Sequence, residues 1–272
     1  MSWREPKMSE DIRPLMDAWP FNPDDDLMVR KVVGPDGQVR LQIRLELGIL
    51  EMMPSGRPDG AQPYGFESLL AFHLDRVRHE RDGDGEPYRL SHEEALALQR
   101  EAMQYYHRRV TWFKLGDFAA AADDAEHNIA VMDLLKERAA DSSDWLESEQ
   151  YRPFVLSHLV RARALWWVDQ GDPNAALSAL DDGIDSLETL FRDDYRRPDL
   201  ITESEELHGL LELRRALRES PTTVASIRRE SETERLRREL AEAVAREEYE
   251  RAATLRDALR EAQARVRVDQ PS

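Results

Sequence analysis

The sequence predicts a mainly α-helical protein with one antiparallel β-hairpin near the N-terminus and an α-helical hairpin at the C-terminus. Three observations predict it. Residues 27–52 alternate apolar and polar with period two, the pattern of a strand with one buried face. After residue 66, apolar residues recur at helical spacing between capping, Gly and Pro signals. The second half is dominated by Glu, Arg, Ala and Leu, strong helix formers.

Composition agrees with this reading. Hydrophobic residues make up 41% of the 272, enough for a core, yet 34% are charged. Mean hydropathy is −0.67, which suits amphipathic helices that bury one stripe and solvate the rest. The length implies one or two domains.

Residues 1–26 hold four prolines and an acidic Asp24-Asp25-Asp26 run, and read as a poorly ordered leader. Trp3 and Trp19-Pro20-Phe21 are its only anchors for docking on a core. Residues 27–65 read as a β-hairpin and loop. Val29, Lys31 and Val33 alternate along one strand, and Val39 through Leu47 along the other. Gly34-Pro35-Asp36-Gly37 turns between them, because Pro presets φ and Gly permits positive φ. Two strands alone are marginal in water, so their apolar face must pack on helices or pair with another copy.

Residues 66–219 read as a helical body. The first helix runs from Phe66 to Arg81. Ser91 and Glu94 form a capping box that opens a long helix to about Leu115. Asp117 caps the next, through about Arg138. A further long helix spans Trp145 to Gln170, with Pro153 early in it or dividing it. Gly171-Asp172-Pro173 supplies a stop, an N-cap and a first-turn proline. Helices to about Phe191 and from Leu200 to Glu219 complete the body.

An internal repeat emerges. Trp112, Gly116-Asp117 and Ala121 align with Trp167, Gly171-Asp172 and Ala176. In each copy glycine turns a corner between two helices, and a small alanine lets them approach. The pair resembles the helical hairpin of the tetratricopeptide family over residues 102–135 and 157–191. It departs in Pro173 and in the long spacing between the copies. The resemblance implies a helical groove for protein or peptide binding, with Tyr105, Trp112, Trp166 and Trp167 as groove candidates. The same residues also read as core.

Residues 220–272 carry two short apolar stripes. Leu236, Leu240, Ala243 and Val244 form the first. Tyr249, Ala252, Ala253, Leu255 and Leu259 form the second, with Arg246-Glu247-Glu248 between them. A reverse turn there lets the stripes fold together, whereas a solvated helix or coiled coil is the simpler alternative. The order Leu236, Leu240, Tyr249-Glu250, Ala252-Ala253, Leu255-Arg256-Asp257, Leu259 resembles the UVR motif, the helical hairpin of the UvrB and UvrC excision-repair subunits. The resemblance implies protein–protein contact through these residues, with Arg256 and Asp257 in ion pairs.

Net charge is −17. Ten acids face two bases over residues 117–150, while eleven arginines face ten acids over 228–267. So acidic a body repels phosphate backbones, and direct nucleic-acid binding is disfavoured. Without cysteine there is no disulfide, thiolate–zinc site or thiol catalysis. No apolar run matches a secretory signal or a membrane span, so a cytoplasmic protein is expected. The seven histidines are scattered without metal-binding spacing, and no phosphate loop or Gly-x-Ser-x-Gly elbow occurs. His73 with Asp75, or His158, are the weak ligand candidates. Tyr105 through Lys114 mixes basic and aromatic residues, as a base-stacking surface does, although its aromatic spacing fits a helix core better.

The expectation is a non-catalytic interaction or adaptor protein without cofactor. It engages protein partners through residues 228–272 and a helical groove, and the tail also offers a route to homo-oligomers. The alternative is an accessory factor of nucleotide-excision DNA repair.

Overall fold

The computed structural model describes residues 11–25, 27–80, 87–219, 255–256 and 258–260. The chain forms two compact units, residues 1–152 and 153–272. The boundary falls inside the stretch read from sequence as one helical body.

The N-terminal unit starts with a short helix, α1 (Arg13–Ala18), followed by strands β1 (Met28–Val33), β2 (Val39–Leu45) and β3 (Gly48–Met52). All pair antiparallel in the order β1-β2-β3. The expected hairpin is therefore present but extended by a third strand. The alternation that runs on to Leu47 is interrupted after Leu45, where Glu46 and Leu47 make a two-residue connection closed by the Leu45–Gly48 pairing. The β1–β2 turn is the one the sequence signals: the Gly34 N–H donates to the Gln38 carbonyl at 2.8 Å, and Gly37 has φ 75°.

The two faces of the sheet are covered differently. Val29, Leu41, Ile43 and Met52 are buried, and the sheet packs on the long helix α3 (His92–Leu115). The opposite face carries a ladder in which Arg30 donates to Gln42 (2.8 Å) and Gln42 to Glu51 (2.6 Å). Trp19 docks there. The Arg30 guanidinium lies 4.0 Å from its ring centroid, and the buried Arg44 donates Nε–H to its carbonyl at 2.7 Å. Residues 11–25, read from sequence as part of a loose leader, are thus anchored by Trp19. Residues 1–10 lie outside the described residues.

Helices α2 (Leu69–Glu80), α3 (His92–Leu115), α4 (Phe118–Arg138) and α5 (Ser142–Glu149) complete this unit. Leu70, Leu98, Val131 and Leu135 are among the residues of their core. The capping box is present: Ser91 Oγ accepts from the Glu94 amide, and Glu94 accepts from the Ser91 amide at 2.8 Å.

The helix expected from Trp145 to Gln170 is two helices, α5 and α6 (Arg152–Asp169). Pro153 divides them and sits in the first turn of α6, where a missing N–H costs nothing. The C-terminal unit continues with α7 (Pro173–Thr189), a π-turn over Leu190–Asp194, α8 (Leu200–Glu203) and α9 (Glu205–Glu219). Ser204 divides the last two, and its hydroxyl caps the Leu207 amide at 3.2 Å. Val160, Leu180, Ile184, Leu187, Leu207 and Leu217 are among the residues of an apolar core from α6, α7 and α9. Among the described residues, no helix is long and apolar enough to cross a membrane.

Candidate functional site

The two repeat copies turn the same corner. Gly116 (φ 74°) and Gly171 (φ 77°) both adopt the left-handed conformation that favours glycine. The Asp117 amide donates to the Trp112 carbonyl and the Asp172 amide to the Trp167 carbonyl, each at 3.0 Å. Each aspartate then caps the helix it opens, Asp117 accepting from Ala120 at 3.4 Å and Asp172 from Ala175 at 2.9 Å. Ala121 and Ala176 are wholly buried.

The aromatic groove candidates divide. Tyr105 and Trp112 are 6% and 4% exposed, so they belong to the interior and do not line an open groove. Tyr105 stacks on His127 with ring centroids 3.5 Å apart, and burial pushes its hydroxyl up to about 12. Trp112 lies under the Lys31 ammonium at 4.8 Å. Trp166 and Trp167 are half-buried and meet edge to face at 4.6 Å. Trp167 packs on the core of the C-terminal unit.

Around Tyr105 lies a charged cluster inside the N-terminal unit. Glu101, fully buried on α3, accepts from the Leu69 and Leu70 amides at 2.7 and 3.0 Å and so caps α2. Its carboxylate is also 3.3 Å from His127 Nε2 and 3.6 Å from Arg57 Nε. Burial alone would raise the Glu101 carboxyl. The bonds from His127 and the two amides outweigh it and hold the group below the ordinary carboxylate range. Arg108 on α3 grips Asp124 on α4 through Nε and Nη2, the shortest contact being 2.6 Å. Its Nη1 donates to the Met53 and Gly56 carbonyls at 3.1 and 2.7 Å. Burial pushes the Asp124 carboxyl up against the pull of Arg108, and pushes Arg109 down to about 10.

This cluster ties the 53–58 loop, the start of α2, α3 and α4 into one body. In the sequence, Arg108 and Arg109 fall in the stretch that mixes basic and aromatic residues, and nothing there singles out Glu101 or Asp124 as buried partners. A signal was present: Leu98, Glu101, Tyr105, Arg108 and Trp112 follow one helical stripe, as do Ala121, Asp124, Asn128, Val131 and Leu135. A charge on an apolar stripe must be paired when buried.

His73, a weak ligand candidate, is buried with Nδ1 2.7 Å from the Tyr88 hydroxyl. Among the described residues, no group of three or more His, Asp or Glu side chains is placed to hold a metal.

Of the tail residues singled out, Leu255, Arg256 and Leu259 are described. They are helical, with the leucines half-buried and the arginine exposed, as an amphipathic helix requires. Leu236, Leu240, Tyr249, Glu250, Ala252, Ala253 and Asp257 lie outside the described residues. No curated protein and no solved structure matches the chain. Residues 230–265, about an eighth of the chain, match the family model of the UvrB/uvrC motif (UVR).

Proposed function

We propose that this chain is a non-catalytic cytoplasmic adaptor that docks on a protein partner through residues 228–272. The match of residues 230–265 to the UvrB/uvrC motif carries this reading. A helical hairpin of this size buries little area alone and gains stability by packing on a partner or on a second copy of itself. The rest of the chain is read as the scaffold, with the paired Gly-Asp corners supporting a tetratricopeptide-like view of α3–α4 and α6–α7.

Affinity capture with the full chain tests the reading. Leu255→Asp with Leu259→Asp, which charges the apolar stripe, is expected to abolish capture while circular dichroism stays unchanged. Identical partners with and without the substitutions would refute it. Light scattering separates a foreign partner from self-association: a concentration-dependent dimer lost in the same variant assigns the tail to self-pairing.

The family description also favours a second reading, an accessory factor in nucleotide-excision repair. Recovery of excision subunits in the same capture, and its loss in the variant, would select it.

A further inference from the structure

In the C-terminal unit, residues of α6 and α9 line an open pocket of about 210 Å³. Phe154 and Leu210 supply apolar walls, and His158, Arg161, Glu205 and Gly209 add polar groups and open space. Drug-sized ligands occupy about 300–1,000 Å³, so this volume suits a smaller molecule.

Gly209 has no internal reason to be glycine. It lies inside α9 without positive φ, and a Cβ built on it meets nothing within 4 Å. Glycine is the least favourable residue in a helix interior after proline. Gly183 in α7 is different, because its Cβ would fall 2.3 Å from both methyls of Val160. Close packing of α6 on α7 demands glycine at 183. At 209 the missing side chain leaves only the pocket open.

Two charges on the lining, Arg161 and Glu205, are exposed. Among the described residues, neither the Arg161 guanidinium nor the Glu205 carboxylate has a hydrogen-bond or ion-pair partner. Glu206 also lines the pocket and accepts from the Ser204 hydroxyl at 2.8 Å. A cation and carboxylates beside apolar walls match a small molecule that carries both charges and an apolar group.

We propose that this pocket binds a free α-amino acid with an apolar side chain. Arg161 takes the α-carboxylate, Glu205 and Glu206 take the α-ammonium, and Phe154 and Leu210 receive the side chain. The inference is independent of the docking role of residues 228–272, because ligand binding and partner capture are read separately.

Isothermal titration of the full chain with L-leucine and L-phenylalanine tests it. Saturable binding of at least one is expected. N-acetyl-leucine mimics a protein C-terminus and leucinamide an N-terminus. Each lacks one charge and is expected to bind at least about tenfold more weakly, because a charged pocket group loses its partner. Gly209→Leu fills the pocket and is expected to remove binding while the helix signal is kept. Arg161→Gln and Glu205→Gln are each expected to weaken binding by about tenfold. No saturable binding of either amino acid would overturn the proposal, as would equal binding of either blocked derivative. Wild-type affinity in Gly209→Leu would do the same. Should that variant fail to fold, unchanged affinity in both charge variants overturns the proposal.

Discussion

The helical pairs α3–α4 and α6–α7 enter on the same corner and are then held by opposite means. In the first, a buried arginine reaches across to a buried aspartate, Arg108 to Asp124 at 2.6 Å. In the second, the helices close until a glycine faces a valine, with no room for a Cβ at Gly183. A corner specifies that two helices meet, but not what they meet through. Ionic contact needs mutual satisfaction of both charges and gives register. Apolar contact needs only shape and tolerates no added atom.

The largest expected effect breaks the ionic pair. Asp124→Ala leaves Arg108 buried beside a loop it still bonds, and the N-terminal unit is expected to lose about 3–5 kcal/mol in urea unfolding. Arg108→Met with Asp124→Leu should recover much of this, since both charges go together. A single-variant loss below about 1 kcal/mol, the range of an exposed pair, would contradict the buried assignment.

Next comes the apolar contact. Gly183→Ala is expected to cost about 1–3 kcal/mol through overpacking against Val160. Adding Val160→Ala should return part of it. Gly209→Ala is the control, because the same change in open space should gain about 1 kcal/mol. If Gly183→Ala also stabilises the fold, the close approach of α6 and α7 is refuted.

The corners themselves are worth less. Asp172→Ala removes a 2.9 Å cap bond and is expected to cost about 1 kcal/mol. Asp117→Ala, with its longer 3.4 Å bond, should cost less. Thermal unfolding of the two variants ranks them, and the reverse order would contradict the cap geometry.

The last prediction concerns the acid limb and Glu101. Its carboxyl is held below its reference value of 4.5. The folded state therefore binds this proton less readily than the unfolded chain. The resulting stabilisation is complete above pH 4.5 and is lost as pH falls through the depressed value. Glu101→Gln should flatten that acid limb, and an identical limb in wild type and variant would remove Glu101 from the pH response.

Much of the fold was legible because its signals are local. The Ser91–Glu94 box, the caps at Asp117 and Asp172 and the left-handed glycines are satisfied by bonds spanning at most a few residues. The order of residues from Leu236 to Leu259 was likewise enough to point to the motif that matches residues 230–265. Less legible was the interior. Tyr105 and Trp112 read as groove candidates although their spacing favours a core, and burial assigns them inward. β3 was hidden because Leu45-Glu46-Leu47 continues the alternation of β2 straight through a turn whose two connecting residues are neither Gly nor Asn.

By itself, then, the sequence determined the helix caps at Ser91, Asp117 and Asp172, how the two pairs turn, that the first sheet has an alternating face and that the tail carries a UVR-like string. Tertiary structure alone decided that Glu101, Arg108 and Asp124 are buried, that Trp19 anchors the segment before the sheet and that the chain divides at residue 152. It also separated two glycines that read alike. Gly183 is forced by Val160, 23 positions away in the chain, while Gly209 faces open space. The physical reason is range. Caps and turns are satisfied by their neighbours in sequence, whereas desolvation and close packing depend on partners that only folding brings near.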